Sequence, residues 1–159
     1  MMLDACGINE SQCLPWPVGM EPAEAAAAFA KQWKDKTSFE AFGLCFLGMG
    51  DDCHTASLFP QSPLIDLDCD AAFAAVEVPG KGWRLTLSPS GLCRSKRIVI
   101  TVCGAGKADA LEAVFHKDYS PKEKPVQLMK RMSEQVTWLI DPDAAAKLQL
   151  QCCLLYTSP

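Results

Sequence analysis

Two short runs, FGLCFLGM at 42–49 and RIVITVCG at 97–104, constrain this chain most, because each ends in a glycine turn that carries charge. The first is continuously apolar, the pattern of a strand covered on both faces of a parallel sheet. The second is rich in β-branched residues, which suit a central strand. A third run, VTWLID at 136–141, predicts a further buried strand. Between them lie helical patterns. At 21–36, Pro22 suits a first helical position, Glu24 favours the positive end of the dipole, and Ala25, Phe29 and Trp33 form one stripe. At 107–116, Ala108, Leu111 and Phe115 repeat at helical spacing, and DAAAKLQL at 143–150 predicts a closing helix. FAAVEVP at 73–79 and WRLTLS at 83–88 predict a β pair, and YSPKEKP at 119–125 a polar loop. Strands alternating with helices predict an α/β layered fold with a mostly parallel sheet.

At 159 residues the chain fits one compact domain. A formal charge of −4 offers no basic stripe for nucleic acid. No apolar run reaches the ~20 residues of a membrane-spanning helix, and the first residues show no secretory pattern. Neither a nucleic-acid nor a membrane partner is expected. Nine cysteines stand at 6, 13, 45, 53, 69, 93, 103, 152 and 153, with no Cys-x-x-Cys pair. They read as free thiols of a reducing, cytoplasmic protein, with Cys45 and Cys103 serving as small hydrophobes inside apolar runs. Only two histidines exist, His54 and His116, and neither has a cysteine at finger spacing, so no metal site is expected. His116 reads as a charge at a helix C-terminus. The last residues, CLLYTSP, resemble a translated sequencing adapter, and 151–159 are left out of the expected domain at 1–150.

In such sheets ligands bind outside the carboxyl ends of the strands. If the first two strands are parallel, their turns, GMGDDCHT and CGAGKA, share one edge. Gly48 and Gly50 let the backbone bend and approach a ligand. Histidine is the side chain whose ordinary titration lies near neutrality, so His54 suits a general base, and Asp51 or Asp52 suits orienting it. A polar turn whose histidine caps a short helix fits the same residues. Gly104 and Gly106 open a helix whose amides, with Lys107, suit a phosphate; a plain turn with a solvated lysine is the simpler reading of those residues alone. The spacing is not that of a Walker loop. Arg84 suits a second anion contact or a solvent-facing place on an alternating strand. Cys53 next to His54 is not read as a nucleophile pair, because neighbours on a turn rarely face each other.

LGMGDDCHTASLFP resembles the signature Gly-x-Gly-x-Asp-Gly-His-Thr-Ala-Ser-Leu-Phe-Pro of the 6-phosphogluconolactonases. WRLTLSPSGLCRSKRIVITVCGAGKADAL resembles their Arg-x-Thr-Leu strand, following helix and Gly-x-x-Lys-Ala turn, and PVQLM and VTWLIDPDAAAKL their C-terminal end. The sister glucosamine-6-phosphate deaminases share the Asp-Gly-His turn but follow it with Ile-Ala-Phe-Asn-Glu-Pro; here Thr55 to Pro60 lack that carboxylate. The resemblance implies a Rossmann-like layered fold and hydrolysis of 6-phospho-D-glucono-1,5-lactone without metal or organic cofactor. It implies His54 as base, Asp52 as the group that holds His54 or a substrate hydroxyl, and Gly48, Gly50, Thr55, Arg84 and Lys107 as substrate contacts. The partner expected is a small sugar phosphate. Backbone amides of the glycine turn are candidate oxyanion donors. Cys53 stands where the family has glycine, which costs on the order of 1 kcal/mol if φ there is positive. The family's N-terminal strand, phosphate loop and Asp-Glu-Arg segment have no match before Glu21, and MMLDACGI resembles the tail of the helix that follows them. The chain is therefore expected to be the C-terminal part of a lactonase-like domain, begun at an internal methionine. Deaminase-like isomerisation, or a non-catalytic fragment, is the alternative.

Overall fold

The structure is a computed structural model that describes residues 5–38, 42–66 and 70–148. Its centre is a three-stranded parallel sheet of β1 (Cys45–Gly48), β4 (Ile98–Val102) and β5 (Val136–Ile140), in the order β1-β4-β5. A separate antiparallel hairpin joins β2 (Phe73–Val78) to β3 (Gly82–Leu87), as the sequence leads one to expect. Helix α1 (Pro22–Lys36) packs on the hairpin, and α3 (Ala108–His116) follows β4. A short α2 (Pro89–Arg94) is capped by Ser88, whose hydroxyl accepts from the Gly91 amide.

Each helix forms for a local reason. Pro22 takes the first turn of α1, where a missing amide hydrogen costs nothing, and Lys34 and Lys36 sit in the last turn. Ala25 and Phe29 are buried and Trp33 half-buried, so the apolar stripe faces inward. It meets the hairpin through rings: Phe29 stacks on Trp16 at 3.9 Å and meets Phe73 edge-on at 4.9 Å. In α3, Leu111 and Val114 lie under the sheet with Ile98, Ile100 and Val102. The segment Pro125–Gln135, expected only as sequence after a loop, forms tight 3-10 turns that bury Val126, Leu128 and Met129.

Three expectations are corrected. The strand β1 is not covered on both faces: Cys45 is buried but Phe46 is 68% exposed. In register, Phe46 lies beside Val99, and Gly48 beside Thr101 and Leu139, so one sheet face is packed and the other is open. Residues 142–147 are turns rather than a closing helix, with mixed bonds from the Ala145 amide to Asp141 and the Ala146 amide to Asp143. Cys103 is exposed, not a core hydrophobe, whereas Cys45 is buried and burial pushes its thiol up. The proposed tail at 151–159 and the start of MMLDACGI, residues 1–4, lie outside the described residues.

Candidate active site

Parallel pairing of β1 with β4 puts both glycine turns at one edge of the sheet. There, Gly48, Gly50, His54 and Lys107 line a single hollow of about 390 Å³, together with Phe46, Leu47, Met49 and Ala56. The two turns thus meet where the strand directions require.

The turn after β1 is built to hold one imidazole. Asp52 Oδ1 accepts from the His54 amide at 3.0 Å and lies 2.6 Å from His54 Nδ1. Burial works against the Asp52 carboxylate, but the hydrogen bonds from the His54 amide and ring outweigh it and hold the carboxyl below its ordinary value. An ionised carboxylate only accepts, so Nδ1 carries a proton, and in the neutral ring Nε2 keeps the lone pair. Asp52, not Asp51, is therefore the partner of His54. The imidazole stacks on Phe59 with centroids 4.2 Å apart and planes 21° from parallel.

Thr55 does not face the hollow. It is fully buried, and its hydroxyl donates to the Gly48 carbonyl at 3.0 Å, which clamps the turn on itself. The Gly50 amide, a candidate oxyanion donor in sequence, is spent on the His54 carbonyl at 2.9 Å. Beyond His54, Thr55 and Leu58 exchange backbone bonds around Ala56 and Ser57. Among the described residues, the three non-glycine positions with positive φ all lie in this one loop: Cys53 at 64°, Ala56 at 49° and Gln61 at 63°. Such backbone costs energy and clusters at functional sites. At Cys53 it is offset by burial: the thiol points to the Ala110 carbonyl at 3.6 Å, and the Val126 amide donates to the Cys53 carbonyl. Burial first, and the charge of Asp52 second, push that thiol up, while Lys124 acts the other way. It is a packing group, not a nucleophile.

The turn after β4 differs from its expected form. Gly104, at φ 92°, turns the chain, but its amide donates to the Asp141 carboxylate at 2.9 and 3.1 Å and is not free for an anion. Asp141 also accepts from the Ala144 amide at 2.8 Å, and its bonds from Gly104 tie the ends of β4 and β5 together. The positive charge at the hollow is Lys107, half-buried, with no ion-pair partner among the described residues. Arg84 is not brought to this hollow. Its guanidinium donates to the Trp83 carbonyl at 3.0 Å, and it lines another, of about 360 Å³, with Trp16, Met20 and Trp83. Sequence reasoning missed Asp141 and Phe59: the first acts on a residue 37 positions away, and the second reads as an ordinary core aromatic.

A parallel α/β sheet with an Asp-oriented histidine and a lysine at the carboxyl edge is the class that these features define. Residues 1–138 match the family described as glucosamine-6-phosphate isomerases/6-phosphogluconolactonase, and the chain belongs to it. The 6-phosphogluconolactonase of Synechocystis sp. is 31% identical over 153 residues, which cover 92% of this chain and 62% of that protein. Among solved structures, the 6-phosphogluconolactonase from Trypanosoma cruzi matches with a TM-score of 0.74 at 19% identity, over 90% of this chain and 62% of that one. A monomeric glucosamine-6-phosphate deaminase matches with 0.71 at 17% identity, over 88% and 61%. These two likenesses are of fold alone. The chain thus spans less than two thirds of the length of these relatives.

Proposed function

We propose that this chain carries the reaction centre of a 6-phosphogluconolactonase, which opens 6-phospho-D-glucono-1,5-lactone to 6-phosphogluconate in the pentose phosphate pathway. The observation that carries the reading is the pair of groups lining one hollow, a His54 ring bonded to Asp52 and the Lys107 ammonium. Nε2 takes a proton from water as the water oxygen attacks C1. Asp52 holds the ring and stabilises the imidazolium. The C1–O5 bond then breaks, and O5 takes the proton back from His54. General base catalysis of this kind contributes roughly 10²–10⁴-fold. Lys107 holds the 6-phosphate, a remote anchor that sets C1 against the water. Arg84, which lines a different hollow, is given no part. The similarity to lactonases, and the lack of a carboxylate from Thr55 to Pro60, favour the lactone over glucosamine 6-phosphate.

The test is hydrolysis of fresh lactone by the chain and its variants. His54→Ala is expected to lower turnover roughly 10²–10⁴-fold with the product's dissociation constant nearly unchanged. Lys107→Ala is expected to weaken 6-phosphogluconate binding roughly 10–100-fold, the worth of one charge-assisted bond. Full turnover in His54→Ala, or ammonia release from glucosamine 6-phosphate instead of lactone opening, overturns the reading.

A further inference from the structure

His54 stacks on Phe59, and Phe59 in turn meets Lys81; the proposed chemistry uses neither. Phe59 lies five residues on, beyond the strained turn at Ala56. Its ring stacks on the imidazole at 4.2 Å, nearly parallel. Lys81 comes from the tip of the β2–β3 hairpin, where its amide closes the turn on the Val78 carbonyl. Its Nζ lies 5.0 Å from the centroid of the same Phe59 ring. Hairpin and loop are also joined directly, since the Ser57 amide donates to the Thr86 hydroxyl at 3.1 Å. A cation over an aromatic face is attracted to its quadrupole, so Lys81 helps to hold the Phe59 ring where it stacks on His54.

We propose that Phe59 and Lys81 are positioning residues for His54: the Phe59 ring fixes the imidazole plane against Asp52, and the Lys81 ammonium over that ring holds it in place. Two restraints define the imidazole. The Asp52 bond fixes Nδ1 but leaves the ring free to rotate about that contact. Stacking on Phe59 removes the rotation while His54 lines the hollow.

The inference rests on the proposed role of His54, but its test does not depend on activity. Nitrogen and proton NMR of the imidazole follow the Nδ1–H bond to Asp52. Phe59→Leu is expected to broaden or lose the Nδ1–H signal, and Phe59→Tyr to keep it. Lys81→Met keeps most of the stem and removes the charge over the ring; it is expected to broaden the same signal, and Lys81→Arg to restore it. Should Phe59→Leu fail to fold, the exposed Lys81 pair decides the matter alone. A signal equally sharp in the parent, Lys81→Met and every Phe59 variant that folds overturns the proposal. A chain that opens no lactone yet shows these changes overturns the lactonase reading and leaves the positioning intact.

Discussion

At Gly50 the site leaves no room for a side chain. A β-carbon built there overlaps His54 Nδ1 and Cε1 and Asp52 Oδ1, although Gly50 itself has no positive φ. The glycine is required by close approach of the imidazole, not by backbone conformation. Gly48, by contrast, has nothing within 4 Å of such a carbon. Gly50→Ala is therefore expected to push the ring off Asp52 while the fold survives, at about the 1–3 kcal/mol of a tight core insertion. Loss of the Nδ1–H resonance with a retained unfolding transition is the expected result; an unchanged resonance would show that the loop has room to give. Cys53 presents the opposite case. Its φ of 64° suits glycine, but its side chain is buried against the Ala110 carbonyl, so position 53 trades backbone strain for packing. The same residue on a sheet strand would carry no such conflict.

At the level of elements, the site is held by the ends of β1, β4 and β5, with Lys107 at the N-cap of α3. The Asp141 carboxylate at the end of β5 takes the Gly104 and Ala144 amides, and so fixes the turn from which Lys107 projects. Asp141→Ala leaves those half-buried amides without an acceptor and is expected to cost about 1–3 kcal/mol in chemical denaturation. It is also expected to weaken phosphate-ester binding, with Asp141→Asn milder on both counts. Equal stability of Asp141→Ala and the parent would remove the clamp. This tie was not legible in the sequence, because nothing local marks an aspartate that reaches across to a neighbouring strand. What was legible had local causes. Pro22 and the stripe of Ala25, Phe29 and Trp33 place α1, and β-branched residues place β4. Parallel pairing then brings His54 and Lys107 to one edge. The segment at 142–147 misled for a related reason. Its alanines favour helix, yet Asp141 draws the Ala144 amide to its side chain, and the hydrogen bonds that follow are turn-like.

At the scale of the molecule, the described residues pack the parallel sheet on one face only. Parallel sheets are ordinarily covered on both, and the continuous apolar character of 42–49 led the reading toward that state. Here Phe46 is 68% exposed and Leu139 52%, with Val99 between their strands. The open face adjoins the hollow, since Phe46 lines it. Exposed apolar surface of this kind binds environment-sensitive dyes such as anilinonaphthalene sulfonate even when the protein is folded. The chain is expected to enhance the dye's fluorescence while giving a cooperative unfolding transition. Leu139 lies on β5, away from the residues that line the hollow, so Leu139→Glu alters the face and leaves the site alone. A charge there is expected to lower the dye signal and to change stability by no more than about 0.5 kcal/mol, the usual range for a surface position. A large loss of stability would mean that Leu139 is packed in solution, and that the face is covered when the protein is free. A dye signal that persists unchanged would place the apolar surface elsewhere, with the hollow beside Trp83 and Met20 the next region to substitute.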